Sequence, residues 1–238
     1  MKPTAGTKKK PKYVYDWPKA DNTVDAVVFG IEAGTLKVLL IERRDDPFKG
    51  KWALPGGFVN MDEPLAQAVL RELREETGVD LPFMEQLATF GDPGRDPRGR
   101  VISTAYLVLA RMDELKVEAG DDAVRAKWFP VDALPPLAFD HDEIVGCGLN
   151  RLRTKARWQP IGINFLPDEF TISEMKAVYE AVLGKKLDAR NFRSKVLRFG
   201  VLVPAGTKRD GHRPAMLWRF DRNNYEALLR QGVDFEAV

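Results

Sequence analysis

Residues 57–79 constrain the fold more than any other stretch of this 238-residue chain; they run GFVNMDEPLAQAVLRELREETGV. A helix is predicted over residues 64–77, because Pro64 suits a first helical turn and Gly78 can end a helix in the left-handed conformation. Asp62 and Glu63, just before it, complement the positive end of the helix dipole. Apolar residues at spacings of three and four give the helix one apolar stripe, formed by Ala66, Val69, Leu70 and Leu73.

Three carboxylates, on Glu72, Glu75 and Glu76, share a different face of this helix. Like charges at these spacings destabilise an isolated helix by roughly 0.2–0.5 kcal/mol per pair, so a counter-charge explains them better than folding does. Mg²⁺ or Mn²⁺ would supply it, since both prefer oxygen ligands and commonly bridge to substrate phosphates. The alternative is a solvated acidic face on a surface helix.

The full spacing of the stretch is more specific than its charge. It places a glycine, five residues, Glu63, seven residues and then Arg-Glu-apolar-any-Glu-Glu-any-Gly-apolar. This pattern resembles the Nudix hydrolase signature at every fixed position. The resemblance implies an α+β fold, an α/β/α sandwich with a mixed sheet, and hydrolysis of a nucleoside diphosphate linked to another group.

By the same resemblance, the catalytic residues are Arg71, Glu72, Glu75 and Glu76. The three glutamates would hold Mg²⁺ (or Mn²⁺), Arg71 would orient them through ion pairs, and Glu63 would complete the metal shell or only fix the loop. The family varies in where its general base lies. Glu118, Asp121 and Asp122 are candidates, with surface turn residues as the alternative.

Two further segments, the glycines at 56 and 57 and the loop 91–100, are predicted to contact the substrate. Residues 23–31 and 36–42 read as a β-hairpin, and the glycines at 56 and 57 then allow a metal or phosphate to approach the backbone closely. The loop 91–100 and the strand-like run 101–110 resemble the ADP-ribose pyrophosphatase branch of the family and the related NrtR regulators. The predicted substrate-binding residues are Gly56, Gly57, Arg95, Arg98 and Arg100. A plain exposed hairpin is the alternative for this loop, and His141 could cap a helix or touch the ligand.

Composition sets the remaining bounds. With 44% apolar residues the chain can bury a core, and its single cysteine, Cys147, excludes an intramolecular disulfide framework. No apolar run approaches membrane-spanning length, and no apolar signal core follows the N-terminal lysines, so we expect no membrane partner and a cytoplasmic protein. Residues 1–20 read as a flexible basic tail.

Charge is unevenly distributed along the chain. Residues 1–150 carry 20 basic and 25 acidic side chains, whereas residues 151–238 carry 17 and 10. In the basic part, residues 171–174 form a capping box before an amphipathic helix, and a second helix begins near Asp188 and ends at Gly200. A strand pair with the basic loop 205–214 follows, so the spacing is that of a helix-turn-helix with a wing.

This arrangement, with its segment Asn-Phe-Arg-Ser-Lys at 191–195, resembles the C-terminal domain of NrtR-type regulators of NAD metabolism. The resemblance implies binding to double-stranded DNA. The predicted DNA-binding residues are Arg190, Asn191, Arg193, Ser194, Lys195, Arg198, Lys208, Arg209 and Arg213. A winged helix used only for dimerisation or packing is the alternative.

The predicted organisation is therefore a tail (1–20), a Nudix domain (21–145), a connecting helix (146–160) and a small winged-helix domain (161–238). The main functional hypothesis is a Mg²⁺-dependent hydrolase of ADP-ribose or a related nucleotide sugar that carries a DNA-binding winged helix, and works as a homodimer. The other is an NrtR-like regulator that senses ADP-ribose with little or no turnover. Many such regulators have a degenerate signature, whereas this chain keeps every fixed position, which favours turnover.

Overall fold

The structure, a computed structural model, describes residues 16–78, 83–112, 123–210 and 213–232. Seven strands form one mixed sheet, and its helices are α1 (Leu65–Thr77) and α2 (His141–Trp158). The strands are β1 (Asp21–Glu32), β2 (Thr35–Arg43), β3 (Trp52–Ala53), β4 (Gly56–Phe58), β5 (Phe83–Phe90), β6 (Val101–Ala110) and β7 (Ala123–Pro130).

The sheet order is β3-β2-β1-β6-β5, with β4 also paired to β1 and β7 to β2. Strands β1 and β6 run parallel, and the other pairs are antiparallel. Both faces of the sheet are covered, so the two central strands, β1 and β6, are almost continuously buried. Alternate residues of β1 face α1 on one side, as Ala26 does, and α2 on the other, as Phe29 does. The predicted α/β/α sandwich with a mixed sheet is confirmed.

Several local predictions are also confirmed. The hairpin joins β1 to β2, and α1 ends at Gly78, whose φ of 69° is the left-handed conformation expected there. The segment 56–58, which contains Gly56 and Gly57, is the short strand β4, because its backbone pairs with β1.

A smaller unit follows α2. It comprises a 3₁₀ helix (Ile161–Phe165), helices α3 (Ile172–Leu183), α4 (Ala189–Arg198) and α5 (Arg222–Arg230), and strands β8 (Glu169–Phe170), β9 (Leu202–Asp210) and β10 (Arg213–Phe220). Thr171 and Glu174 form the predicted capping box of α3, and Asp188 caps α4. The strand order β8-β10-β9 and the α3–α4 pair make a winged helix.

One apolar core joins the two units. The cluster on the α2 face of the sheet continues through the 3₁₀ helix into the interior of the winged helix, where it includes Met175, Tyr179, Phe192 and Val196. Arg153 of α2 adds a hydrogen bond from Nε to the Val182 carbonyl of α3, at 3.1 Å. The winged helix therefore packs directly on α2. Among the described residues, no helix combines the length and the apolar character needed to cross a membrane.

Candidate active site and candidate DNA-binding helix

A cavity of about 440 Å³ opens beside α1, along Arg71, Glu72 and Glu76. It lies between the β4 segment, the α1 glutamates, the loop after β2, the loop after β5 and the start of α2. Its lining includes predicted site residues from separate parts of the chain, namely Gly56, Gly57, Arg71, Glu72, Glu76, Arg95 and Arg98. Glu63, Glu75 and Arg100 do not line it.

Arg71 is the centre of the signature. Its guanidinium forms a fork on Glu63, with distances of 3.0 Å from Nε and 2.6 Å from Nη2. Nη1 donates to Glu72 at 2.7 Å and to Glu75 at 3.1 Å, and Nη2 also donates to the Phe58 carbonyl at 3.0 Å. One arginine thus ties three carboxylates to the end of β4, and two of them, Glu72 and Glu75, are among the glutamates that it is predicted to orient.

The carboxylates held by Arg71 differ in their surroundings. Hydrogen bonds from Arg71, and then from the Asn60 backbone, lower the pKa of Glu63 to about 2. Burial raises the pKa of Glu72, although its contact with Arg71 opposes the rise. Glu63 also accepts hydrogen bonds from the backbone and the side chain of Asn60, so in this structure it fixes the turn before α1.

Glu76 and the two glycines form the second contact between α1 and β4. The Glu76 side chain is buried, and one of its oxygens accepts a hydrogen bond from the Gly56 N–H at 2.8 Å. A side chain at Gly57 would overlap the Glu72 carboxylate. A side chain at this position would have to displace the Glu72 carboxylate from its contact with Arg71.

The donor chemistry of this wall suits Mg²⁺ or Mn²⁺, because Glu72 and Glu76 present carboxylate oxygens to the cavity. Glu75 lies on the outer side, with 57% of its side chain exposed. Within the ranges that the structure describes, no three acidic, histidine or cysteine side chains are grouped to hold an ion. The proposed general bases Glu118, Asp121 and Asp122 lie outside the described residues.

The three arginines of the loop after β5 have different positions. Arg95 is only 4% exposed and forms a fork on Asp140 at 2.7 and 2.8 Å. Arg98 forms a fork on Asp96 and lies at the cavity edge. Arg100 turns away and donates to the Gly91 carbonyl. The sequence does not distinguish these arginines, because their partners are set by loop geometry.

His141 and Asp25 form the inner end of the cavity. Nδ1 of His141 accepts the Leu54 N–H at 2.8 Å, and Nε2 lies 3.6 Å from an Asp25 oxygen. Burial lowers the pKa of His141. Ser103 donates to the other Asp25 oxygen, which also lies 3.7 Å from Arg95. Asp25 was missed from the sequence, although a lone carboxylate inside an apolar strand was a usable signal.

The winged helix exposes the polar face of α4. Phe192 and Val196 are buried and Phe199 is half-buried, while the opposite face is in solvent. The exposed residues predicted to bind DNA are Arg190, Asn191, Arg193, Ser194 and Arg198, and Lys195 is half-buried. Lys208 and Arg209 lie in β9 and Arg213 in β10, but their side chains are outside the described part of the structure.

Two family models match separate parts of the chain. Residues 21–145 match the NUDIX domain, and residues 162–220 match the NrtR DNA-binding winged helix domain. The first match covers the mixed sheet, α1 and the start of α2, and the second covers the winged helix as far as the end of β10.

Individual relatives agree with both matches. The chain is 36% identical, over 216 residues, to the ADPR responsive transcriptional repressor NtrR of Acinetobacter baylyi; the similarity covers 89% of this chain and 86% of that protein. It is 48% identical over 118 residues to an ADP-ribose pyrophosphatase of Methanocaldococcus jannaschii, covering 50% of this chain and 69% of the relative. The crystal structure of Shewanella oneidensis NrtR complexed with a 27mer DNA superposes with a TM-score of 0.76 at 36% identity, covering 86% of this chain and 95% of that one.

Proposed function

The chain belongs to the Nudix family and carries an NrtR-type winged-helix domain, and on that premise we propose that it is a DNA-binding regulator that responds to ADP-ribose and also hydrolyses it. One observation carries the proposal: an intact signature beside a nucleotide-sized cavity shares an apolar core with a helix whose exposed face is basic. A ligand in the cavity and DNA on α4 would therefore act on one continuous body.

Ligand binding is supported by the shape and the charge of the cavity. Its volume of about 440 Å³ lies in the range of small-molecule sites. Arginines and glutamates share its lining, which suits a molecule with a charged pyrophosphate and uncharged sugars. The A. baylyi repressor is ADPR responsive and the M. jannaschii relative is an ADP-ribose pyrophosphatase, so ADP-ribose is the ligand that we propose.

Hydrolysis is the second activity, and the intact signature favours it. Of the three signature glutamates, Glu72 and Glu76 line the cavity and Glu75 lies on the outer side of α1; together they would hold Mg²⁺ or Mn²⁺, and the bound ion would supply neutralisation of pyrophosphate charge and activation of a water. Arg71 holds Glu72 and Glu75 and, through the Phe58 carbonyl, the end of β4. Glu76 fixes the Gly56 backbone, so the loop that faces the ligand is set by the same helix.

DNA binding is supported by the exposed face of α4, where guanidinium groups can contact phosphates or base edges. The Shewanella protein of similar structure was crystallised with DNA. We include a homodimer in the proposal, because paired winged helices commonly contact two half-sites. Analytical sedimentation of the purified protein, alone and with DNA, measures its oligomeric state.

The test of the proposed function combines two measurements on purified protein. Incubation with ADP-ribose and Mg²⁺ should release AMP and ribose 5-phosphate, and a gel shift should show binding to the upstream region of the protein's own gene but not to an unrelated duplex at the same salt concentration. Specific DNA binding without release of product would mean that the protein is a regulator that senses ADP-ribose and does not hydrolyse it. Product without specific DNA binding would leave an enzyme with a winged helix used for packing.

A further inference from the structure

One wall of the cavity is a stack of two aromatic rings and a guanidinium, which we call the Phe58–Arg98–Phe139 wall. The Arg98 guanidinium carbon lies 5.1 Å from the Phe58 ring centre and 5.5 Å from the Phe139 ring centre. These residues come from β4, from the loop after β5 and from the residue pair before α2. Three separate parts of the chain therefore converge on one wall of the cavity.

The Arg98 side chain is held in one orientation. Its backbone N–H and Nε both donate to one Asp96 oxygen, at 2.9 and 3.0 Å, and Nη2 donates to the other at 2.7 Å. The Asp96 side chain is buried, so this fork has little freedom to turn. A guanidinium plane fixed in this way presents a flat face before any ligand arrives.

Phe139 is placed with backbone strain. Its φ is 55°, a left-handed backbone conformation that residues other than glycine rarely adopt. Phe48 packs edge-on against its ring at 4.9 Å, and the Arg43 guanidinium lies 4.9 Å from its centre. Strain of this kind persists where the surrounding structure holds a side chain in a required position, which here is the cavity wall.

Phe58 is the accessible member of the wall. It lines the cavity and is 46% exposed, although an apolar ring gains by being covered. Its carbonyl, and not its ring, accepts the hydrogen bond from Arg71. The ring is therefore available to a ligand without disturbing the signature.

From these contacts we propose that the Phe58–Arg98–Phe139 wall is the nucleobase subsite of the cavity, and that the ligand's purine ring stacks on Phe58 and on the Arg98 guanidinium while its pyrophosphate lies toward Glu72 and Glu76. The proposal rests on the proposed function, in which the cavity binds ADP-ribose. Every base has a π-face that can stack on an aromatic ring, and an arginine adds a cation–π contribution. The wall thus selects for a flat, electron-rich ring at one end of the pyrophosphate.

The test measures binding of two ligands by calorimetry: ADP-ribose directly, and inorganic pyrophosphate by displacement of ADP-ribose. All proteins carry Glu76→Gln, so that the nucleotide is not consumed. Adding Phe58→Leu should weaken ADP-ribose binding roughly tenfold or more, the range of stacking on an aromatic side chain, and leave pyrophosphate binding unchanged. Arg98→Lys should act in the same direction. Trp17→Leu, which removes a 78% exposed aromatic ring outside the cavity, is the matched control and should change neither affinity.

The other outcomes contradict either the nucleobase subsite alone or both proposals. Unchanged ADP-ribose affinity in Phe58→Leu, with the parent still binding, would overturn the nucleobase subsite and leave the proposed function standing. Equal losses for ADP-ribose and pyrophosphate would also overturn it, since Phe58 would then only support the shape of the cavity. If neither wild type nor Glu76→Gln binds ADP-ribose, the proposed function fails, and the subsite fails with it.

Discussion

Arg95 and Asp140 form a buried two-pronged ion pair, with nitrogen to oxygen distances of 2.7 and 2.8 Å, between the loop after β5 and the residue that precedes α2. Asp140 raises the pKa of Arg95 against the effect of burial, which lowers it. The pair fastens the start of α2 to the cavity, because Arg95 lines the cavity and Asp140 lies between the lining residues Phe139 and His141. The position of α2 therefore depends on a contact inside the ligand site.

The first prediction concerns this pair. Asp140→Ala should lower the free energy of unfolding by about 3–5 kcal/mol, because it leaves the buried Arg95 charge without its main partner. Glu169→Ala is the matched control, since it breaks the exposed pair with Arg219 at 2.7 Å and should cost about 1 kcal/mol or less. Urea denaturation of the three proteins measures both. Equal effects of the two substitutions would contradict a structural role for the buried pair.

The second prediction concerns turnover. Glu76→Gln removes a negative charge from the cavity wall, while its side-chain carbonyl can still accept the Gly56 N–H. Hydrolysis of ADP-ribose should fall about a hundredfold or more, in keeping with the several kcal/mol that a metal ion supplies. Glu169→Gln, on β8 and far from the signature in sequence, should keep wild-type turnover. Unchanged hydrolysis in Glu76→Gln would count against a metal-binding role for this glutamate.

The third prediction concerns the DNA interface. Arg193→Ala and Arg198→Ala each remove an exposed charge from α4, so each should reduce the slope of log affinity against log salt by about one unit if its guanidinium neutralises a phosphate. Lys49→Ala removes an exposed charge from the loop after β2 and should leave the slope unchanged. If neither α4 substitution changes the slope of log affinity against log salt, α4 is not the element that contacts the phosphates.

How far the sequence predicts this structure depends on how local each feature is. The end of α1 at Gly78 and the capping box at Thr171 depend on neighbouring residues, and both were predicted. The cavity wall depends on residues that only the fold brings together, so Phe58 and Phe139 carried no local signal. Arg95 lines the cavity, so its contact with the ligand stays a prediction, but its ion pair with Asp140, 45 residues away, has no local signal in the sequence.

The roles of the catalytic and DNA-binding residues stay predictions. The structure brings Arg71, Glu72 and Glu76 together at the cavity, and it places Arg193 and Arg198 on an exposed face. Spacing predicts such proximity on a single helix, because residues three and four apart share a face. It does not predict which carboxylate an arginine holds, since that depends on how β4 lies against α1.

The fourth prediction concerns pH. Burial lowers the pKa of His141 below its ordinary value of 6.5, with Arg95 and Arg43 adding to the effect and Asp25 and Asp140 opposing it. Below about pH 6.5 the unfolded chain therefore binds a proton at His141 that the folded chain does not. The free energy of unfolding should therefore decrease as the pH is lowered below about 6.5. The change is at most about 1.4 kcal/mol per pH unit for one group.

The measurement is the difference in free energy of unfolding between wild type and His141→Gln at pH 7.5 and at pH 5.5. The free energy of unfolding of wild type, relative to that of His141→Gln, should be smaller at pH 5.5 than at pH 7.5, because only the histidine takes up a proton on unfolding. Protonation would also prevent Nδ1 from accepting the Leu54 N–H. A difference that stays constant or grows as pH falls would show that His141 is not held neutral by the fold.

The fifth prediction joins the cavity to the winged helix through α2. The first residue of α2, His141, lines the cavity, and Arg153 further along α2 donates to the Val182 carbonyl of α3. If ADP-ribose prefers one position of α2, it should change DNA affinity by roughly 5–150-fold, the usual range for allosteric coupling, and DNA should change ADP-ribose affinity by the same factor. DNA is therefore titrated into Glu76→Gln protein with and without saturating ADP-ribose, after binding of the ligand to this variant is established.

Arg153→Met, which removes the contact with α3 and leaves the cavity intact, should reduce the coupling factor without changing ADP-ribose affinity in the absence of DNA. Equal DNA affinities with and without ligand would mean that the winged helix does not respond to the metabolite.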